Sequence, residues 1–168
     1  MAEQDDAIET RRLAHLDRLR IMDTPAEAAF DDLVALAADL CEVPTALISL
    51  VDDHRQWFKA RVGMDASETP RSQAFCAHAI QDDDLFLVTD TLEDPRFSAN
   101  PLVTGGPLIR AYAGAPLTTK AGTRMGTLCI IDQVPREWTE GQKKVLQRLG
   151  RIAIDLIELR AGMVGNLD

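Results

Sequence analysis

The chain has 168 residues, the size of one domain and long enough to bury a full core without staples. Lys and Arg number 18 against 27 Asp and Glu, a net charge of −9. That balance disfavours a nucleic-acid binder, which needs a basic stripe, and docking on an anionic membrane. Hydrophobic content of 46% with 27% charged residues is that of a folded soluble globule.

No apolar run approaches the ~18–20 residues of a transmembrane helix. Met1 to Asp6 is acidic and has no apolar stretch, so it does not read as a signal peptide. Cys41, Cys76 and Cys129 are an odd number at wide spacings, which suggests neither a disulfide framework nor a zinc knuckle. A cytoplasmic location is the expectation.

Residues 7–22 read as a helix, with Ile8, Leu13, Leu16 and Leu19 set among arginines. Thr24-Pro25-Ala26-Glu27 reads as a helix start, with Thr24 as cap, Pro25 in the first turn and Glu27 closing a capping box. Phe30, Leu33, Val34, Ala37 and Leu40 continue it at helical spacing until Val43-Pro44. Thr45–Val51 is apolar on both faces, which predicts a central strand. Asp52-Asp53-His54 turns the chain into a return strand, Gln56–Val62. There Phe58, Ala60 and Val62 alternate with Trp57, Lys59 and Arg61.

Ala74–Ile80 reads as a short helix, Leu85–Thr89 as a short strand and Asp94-Pro95 as one helical turn. Ala111–Leu117 and Met125–Asp132 are strands joined near Ala121-Gly122. Leu128 and Ile130 share one face, with Met125, Thr127, Cys129 and Ile131 on the other. Thr139 caps a final helix, 139–162, with Gln142 closing its capping box. No internal repeat or linker interrupts the chain, which is expected to form a single domain, 1–168. The order predicts an α+β fold: a mainly antiparallel sheet, helices on one face and a loop-rich pocket on the other.

These elements carry a resemblance. Leu19-Arg20-Ile21-Met22-Asp23-Thr24-Pro25, the strand 46–52, Arg55-Gln56-Trp57-Phe58-Lys59-Ala60, Glu68-Thr69-Pro70-Arg71, Phe75-Cys76-Ala77-His78-Ala79-Ile80, Asp94-Pro95-Arg96-Phe97, residues 112–117 and residues 126–132 together resemble a bacterial GAF domain over roughly residues 13–160. The resemblance implies a GAF-like (profilin-like) fold, with a central five- or six-stranded antiparallel sheet. Helices from both chain ends lie on one face and a small-molecule pocket on the other. It implies a sensor of bacterial signal transduction, of the type that precedes a histidine kinase in two-component systems or a diguanylate cyclase. The eight residues after Arg160 hold no such output domain, so the chain is expected to be a free-standing sensor or a piece of a longer protein.

Cys76 and His78 invite a catalytic reading, but residues two apart on a helix point about 200° apart, so they are not expected to face each other. No Cys-His dipeptide of the kind that holds a bilin in phytochromes is present, so a covalent bilin is disfavoured and no cofactor is expected. Free methionine-(R)-sulfoxide reductases are similar in fold and carry a cysteine near the position of Cys76. Residues 96–102, where the reductase places its catalytic thiol, contain none. The Asn-Lys-Phe-Asp-Glu pattern of cyclic-nucleotide-binding relatives is absent as well. His15, His54 and His78 are scattered, so no metal site is expected.

The candidate pocket residues are Trp57, Phe75, Cys76, His78, Asp90, Arg110 and Tyr112. Arg110 has two readings, an anionic-ligand contact or an internal salt bridge with Asp90, and Trp57 and Tyr112 either line the pocket or fill core. In the last helix Val145, Leu149, Ile152, Leu156, Leu159 and Met163 recur at spacings of four and three, a heptad seam. With Leu13 and Leu16 this suggests a homodimer interface of Leu13, Leu16, Leu149, Ile152, Leu156 and Leu159. The expected function is a non-catalytic sensory or regulatory domain that binds a small molecule, dimerises, or both. The alternatives are a sulfoxide reductase and a ligand-free dimerisation module.

Overall fold

The computed structural model describes residues 2–165. Six strands form one antiparallel sheet in the order β3-β2-β1-β6-β5-β4. They are β1 (Thr45–Val51), β2 (Arg55–Val62), β3 (Glu68–Pro70), β4 (Phe86–Val88), β5 (Ala111–Thr118) and β6 (Arg124–Asp132). Three long helices, α1 (Ala2–Leu19), α2 (Ala28–Cys41) and α5 (Glu140–Gly165), cover one face. The other face carries α3 (Phe75–Ala79), α4 (Pro101–Thr104) and two 3-10 turns, Arg71–Gln73 and Thr91–Glu93. No described helix is long and apolar enough to cross a membrane.

β1 is buried along its whole length, as its two apolar faces require. Ala46, Ile48 and Leu50 pack under the helices, and Leu47 and Val51 face α3 and α4. Each of the larger side chains among them contributes roughly 1.5–3 kcal/mol by leaving water. The final helix begins as expected: Gln142 N donates to Thr139 Oγ1 at 3.1 Å and Thr139 N donates to Gln142 Oε1 at 2.9 Å.

The start of α2 differs. The helix begins at Ala28, and the Thr24 hydroxyl donates back to Ile21 O instead of capping. Lys59 is the reason. Its side chain is fully buried, and its ammonium takes Thr24 Oγ1, Pro25 O and Glu27 Oε2 as acceptors, which fixes residues 24–27 as a non-helical strap.

Two bulges decide which residues share a face. In β2, Trp57 pairs with Leu50 and Phe58 with Ser49, but Ala60 pairs with Ile48, so Lys59 is an extra residue. The parity therefore flips: Trp57, Ala60 and Val62 lie under the helices, while Phe58 faces the opposite side. A second irregularity opposite Pro116/Thr118 moves Met125 into the helix-side core with Leu128 and Ile130, away from Cys129 and Ile131.

Candidate functional site

The helix-poor face of the sheet holds the second core, and inside it lies a small cavity of about 10 Å³. That is close to the smallest space one water can occupy. Leu47, Phe58, Phe75, Tyr112 and Ile131 wall it, and Met64 and Leu102, both half-buried, close its outer side. Gln56 and Thr69 supply an amide and a hydroxyl to the same lining, in which no side chain of Asp, Glu, Lys or Arg takes part.

A polar cluster sits at the cavity floor. Ser49 Oγ donates to Cys76 Sγ at 2.8 Å, and Thr127 Oγ1 and the Tyr112 hydroxyl lie 3.0 and 3.1 Å from the same sulfur. All of these side chains are buried. Burial alone pushes the Cys76 thiol up, but Cys129, Ser49, Thr127 and Tyr112 bonded to the sulfur outweigh it and bring it down to about 7. Cys129 and Tyr112 move the other way, driven first by burial, then by the hydrogen bond to Cys76 for Cys129 and by the charge on Cys76 for Tyr112.

Gly114 makes this geometry possible. A Cβ there would stand 2.5 Å from the Tyr112 hydroxyl oxygen. The ring lies over the glycine along the strand, and the absence of a side chain lets its hydroxyl reach Cys76 and Thr127.

Gln56 is 4% exposed; its Nε2 donates to Thr69 Oγ1 at 3.0 Å, while its Oε1 has no partner. A buried unpartnered carbonyl costs about 1–3 kcal/mol.

Of the residues singled out from sequence, Phe75, Cys76 and Tyr112 meet here. Phe75 stacks on Phe97 at 4.2 Å and on Tyr112 at 5.2 Å between ring centroids. The other four do not join them. Trp57 belongs to the helix-side core, because its pairing with Leu50 sets its parity. His78 is exposed; it meets Phe97 edge-on at 4.9 Å and borders a wide surface trough with His54 and Arg71. Burial and the Arg96 cation lower its pKa. It makes no contact with Cys76, as the helical spacing requires.

Asp90 is taken up as the cap of the turn at Thr91–Glu93, accepting from Leu92 N at 3.1 Å. Arg110 donates to Val103 O at 2.8 Å, capping the end of α4, and forms neither an Asp90 salt bridge nor part of the cavity. Residue-by-residue reading missed Gln56, Phe58, Met64 and Thr69. The one signal available was Gln56 itself, the uncharged polar residue of a strand whose other polar residues are charged.

Among the described residues, the carboxylates of Asp52 and Asp53 and the His54 ring approach each other closely enough to share an ion. Asp52 is already used by the turn, accepting from His54 N and Arg55 N and from the Arg55 guanidinium.

On the helical face the anticipated interface residues divide. Leu16 and Leu149 are buried within this chain, because α1 and α5 turn them onto the sheet and α2, so they are not available to a partner. Leu13 and Leu156 are half-buried. Ile152, Leu159 and Met163 are exposed, at 48%, 64% and 64%. Arg160 of α5 donates through Nε to Glu27 Oε2 at 2.8 Å, the oxygen that also accepts from Lys59.

The GAF domain family model matches residues 25–154. A cyclic di-GMP phosphodiesterase of Pseudomonas aeruginosa is 46% identical over 128 residues, which are 76% of this chain and 22% of the relative; the chain thus spans about a fifth of that protein. The GAF domain of an Acinetobacter phosphoenolpyruvate-protein phosphotransferase superposes with a TM-score of 0.68 at 19% identity, covering 100% of both chains. Free methionine-R-sulfoxide reductase from Neisseria meningitidis superposes with a TM-score of 0.64 at 17% identity, covering 94% of this chain and 87% of that one. At those identities the superpositions speak for the fold alone. The sheet order, the helical face and the family match together place this chain in the GAF domain family.

Proposed function

We propose that this chain is a non-catalytic regulatory GAF domain that senses a small molecule in the cavity behind β2 and passes its occupancy to α5, where two chains pair. The observation that carries this reading is the run of contacts across the sheet. Phe58 walls the cavity; its neighbour Lys59 reaches to the opposite face, and Glu27 joins Lys59 to Arg160 of α5. A ligand that parts the cavity walls acts through β2 on that ion cluster, which is how differential affinity for two states becomes a signal. The exposed Ile152, Leu159 and Met163 recur with heptad spacing and support α5 as the pairing surface.

The name of the Pseudomonas relative supports a place in cyclic di-GMP signalling, with this domain as the regulatory portion. A reductase activity is disfavoured because Cys76 is enclosed by hydroxyls and no second thiol lies in residues 96–102. Native mass spectrometry of the purified chain, paired with an assay for reduction of free methionine sulfoxide by a dithiol, tests the reading. A retained small molecule and no turnover support it. Turnover lost on Cys76→Ser overturns it.

A further inference from the structure

α2 and α5 lie side by side and run in opposite directions. Gln142 Nε2 donates to Cys41 O at 2.9 Å at one end of the pair, and Arg160 Nε donates to Glu27 Oε2 at 2.8 Å at the other. Gln142 and Arg160 share one stripe of α5 with Val145, Leu149 and Leu156, so that stripe looks toward α2. Both helices turn right-handed over the same sheet, so the flank of α2 turned toward α5 is the one that carries Leu33, Leu36 and Leu40. Leu33 and Leu149 are buried in the seam, but Leu36 and Leu40 are 47% and 59% exposed, and Ile152 and Leu159 stand out beside them on α5. The seam therefore opens outward into an apolar strip that the described residues leave in contact with solvent.

The charges bordering the strip divide by helix. α2 carries Asp32 and Asp39 on its outer side and no Lys or Arg within Ala28–Cys41. The first half of α5 carries Lys144, Arg148 and Arg151 there. All five are exposed, and among the described residues none of them takes part in an ion pair or side-chain hydrogen bond. The two end contacts set the levels along the pair: Asp39 stands level with Lys144 and Arg148, and Asp32 with Arg151.

We propose that the strip is an interface with a second copy of this chain, related by a two-fold axis that runs along the helices, so that each α5 lies across the partner's α2. The proposal rests on the pairing part of the reading above and names the surface that α5 meets. One sign of charge on each helix is what a self-complementary surface requires, which favours a second copy over a partner of one sign. Charge also selects between the two ways of closing the strip on itself. An axis along the helices keeps each residue at its level, so Lys144 and Arg148 meet the partner's Asp39 and Arg151 meets the partner's Asp32. An axis across the helices would stack α2 on the partner's α2, where carboxylates face only carboxylates. The chosen arrangement is a four-helix bundle in which the two α5 helices run parallel.

Analytical ultracentrifugation of the full chain over a dilution series tests this, with Asp39→Arg, Arg148→Asp and the double variant. Both sites are exposed and unpaired within the chain, so each variant should keep the parent's circular dichroism. The parent is expected to be a dimer. Each single substitution should weaken it about tenfold, because two symmetry-related attractions become repulsions, and the double variant should restore it.

A tighter dimer on Asp39→Arg overturns the proposal in favour of α2 stacked on α2. A dimer unchanged by both single substitutions overturns it as well and leaves pairing elsewhere on α5 standing, which Leu159→Glu reads. A parent chain that is monomeric at every concentration overturns both this arrangement and the pairing itself, while a small molecule retained by that monomer still upholds sensing.

Discussion

Glu27 Oε2 accepts at once from Lys59 Nζ and from Arg160 Nε, two residues a hundred positions apart that arrive from β2 and α5. The Lys59 ammonium is wholly buried, so its charge is tolerated only because acceptors surround it. Glu27→Ala should therefore destabilise the fold by about 2 kcal/mol, less than a fully enclosed pair because Glu27 is 39% exposed and water screens it. Lys59→Met removes the buried charge but releases the 24–27 strap, whose acceptors water can reach, so it should cost about 1 kcal/mol, less than Glu27→Ala. Urea unfolding of the two variants distinguishes these outcomes.

Tyr112 depends on the missing side chain of Gly114. Gly114→Ala places a methyl group against the ring and its hydroxyl, and the ring must lift from Cys76 and Thr127. The expected cost is about 1–3 kcal/mol, more than the roughly 1 kcal/mol expected for Tyr112→Phe, which loses the hydroxyl's bonds but keeps the packing. In both variants the Cys76 thiol should titrate higher, visible in the ultraviolet absorbance of the thiolate.

Acid stability should follow the carboxylates that hold α1 to the β1–β2 turn. Glu9 is bonded to Arg12 and Arg71, and Arg12 in turn donates to Val51 O. The Arg12 bond, against some burial, carries the Glu9 carboxyl from its ordinary 4.5 down to about 2. A carboxyl held lower in the folded state contributes stability that is complete above 4.5 and is lost as pH falls toward 2. Unfolding free energy should decline across that window, and Glu9→Gln should start lower and decline less steeply.

Much of this was legible in the sequence, and the exceptions share a cause. Strand β1, the Thr139–Gln142 capping box and the sheet with helices on one face follow from local pattern and period. Trp57 and Met125 fall on unexpected faces because each adjoins a bulge, and an extra residue inverts parity without any composition signal. Thr24 fails to cap because Lys59, thirty-five positions away, claims it. Arg110 and Asp90, candidates for the pocket in sequence, are taken up by backbone groups at short turns.

The proposed pairing of two chains through α5 has a clean variant. Leu159 is 64% exposed, so Leu159→Glu should leave the thermal midpoint of the isolated fold within about 1 kcal/mol equivalent. Light scattering should give about twice 18.5 kDa for the parent chain and one chain's mass for the variant.

Hydrogen exchange on the chain with its retained small molecule bound and removed tests most directly whether the cavity speaks to the long helix. The account predicts altered exchange at the cavity wall and also along α5 around Arg160, with the distant change abolished in Glu27→Ala. Altered exchange confined to the cavity wall, with α5 untouched in the parent chain, would contradict it.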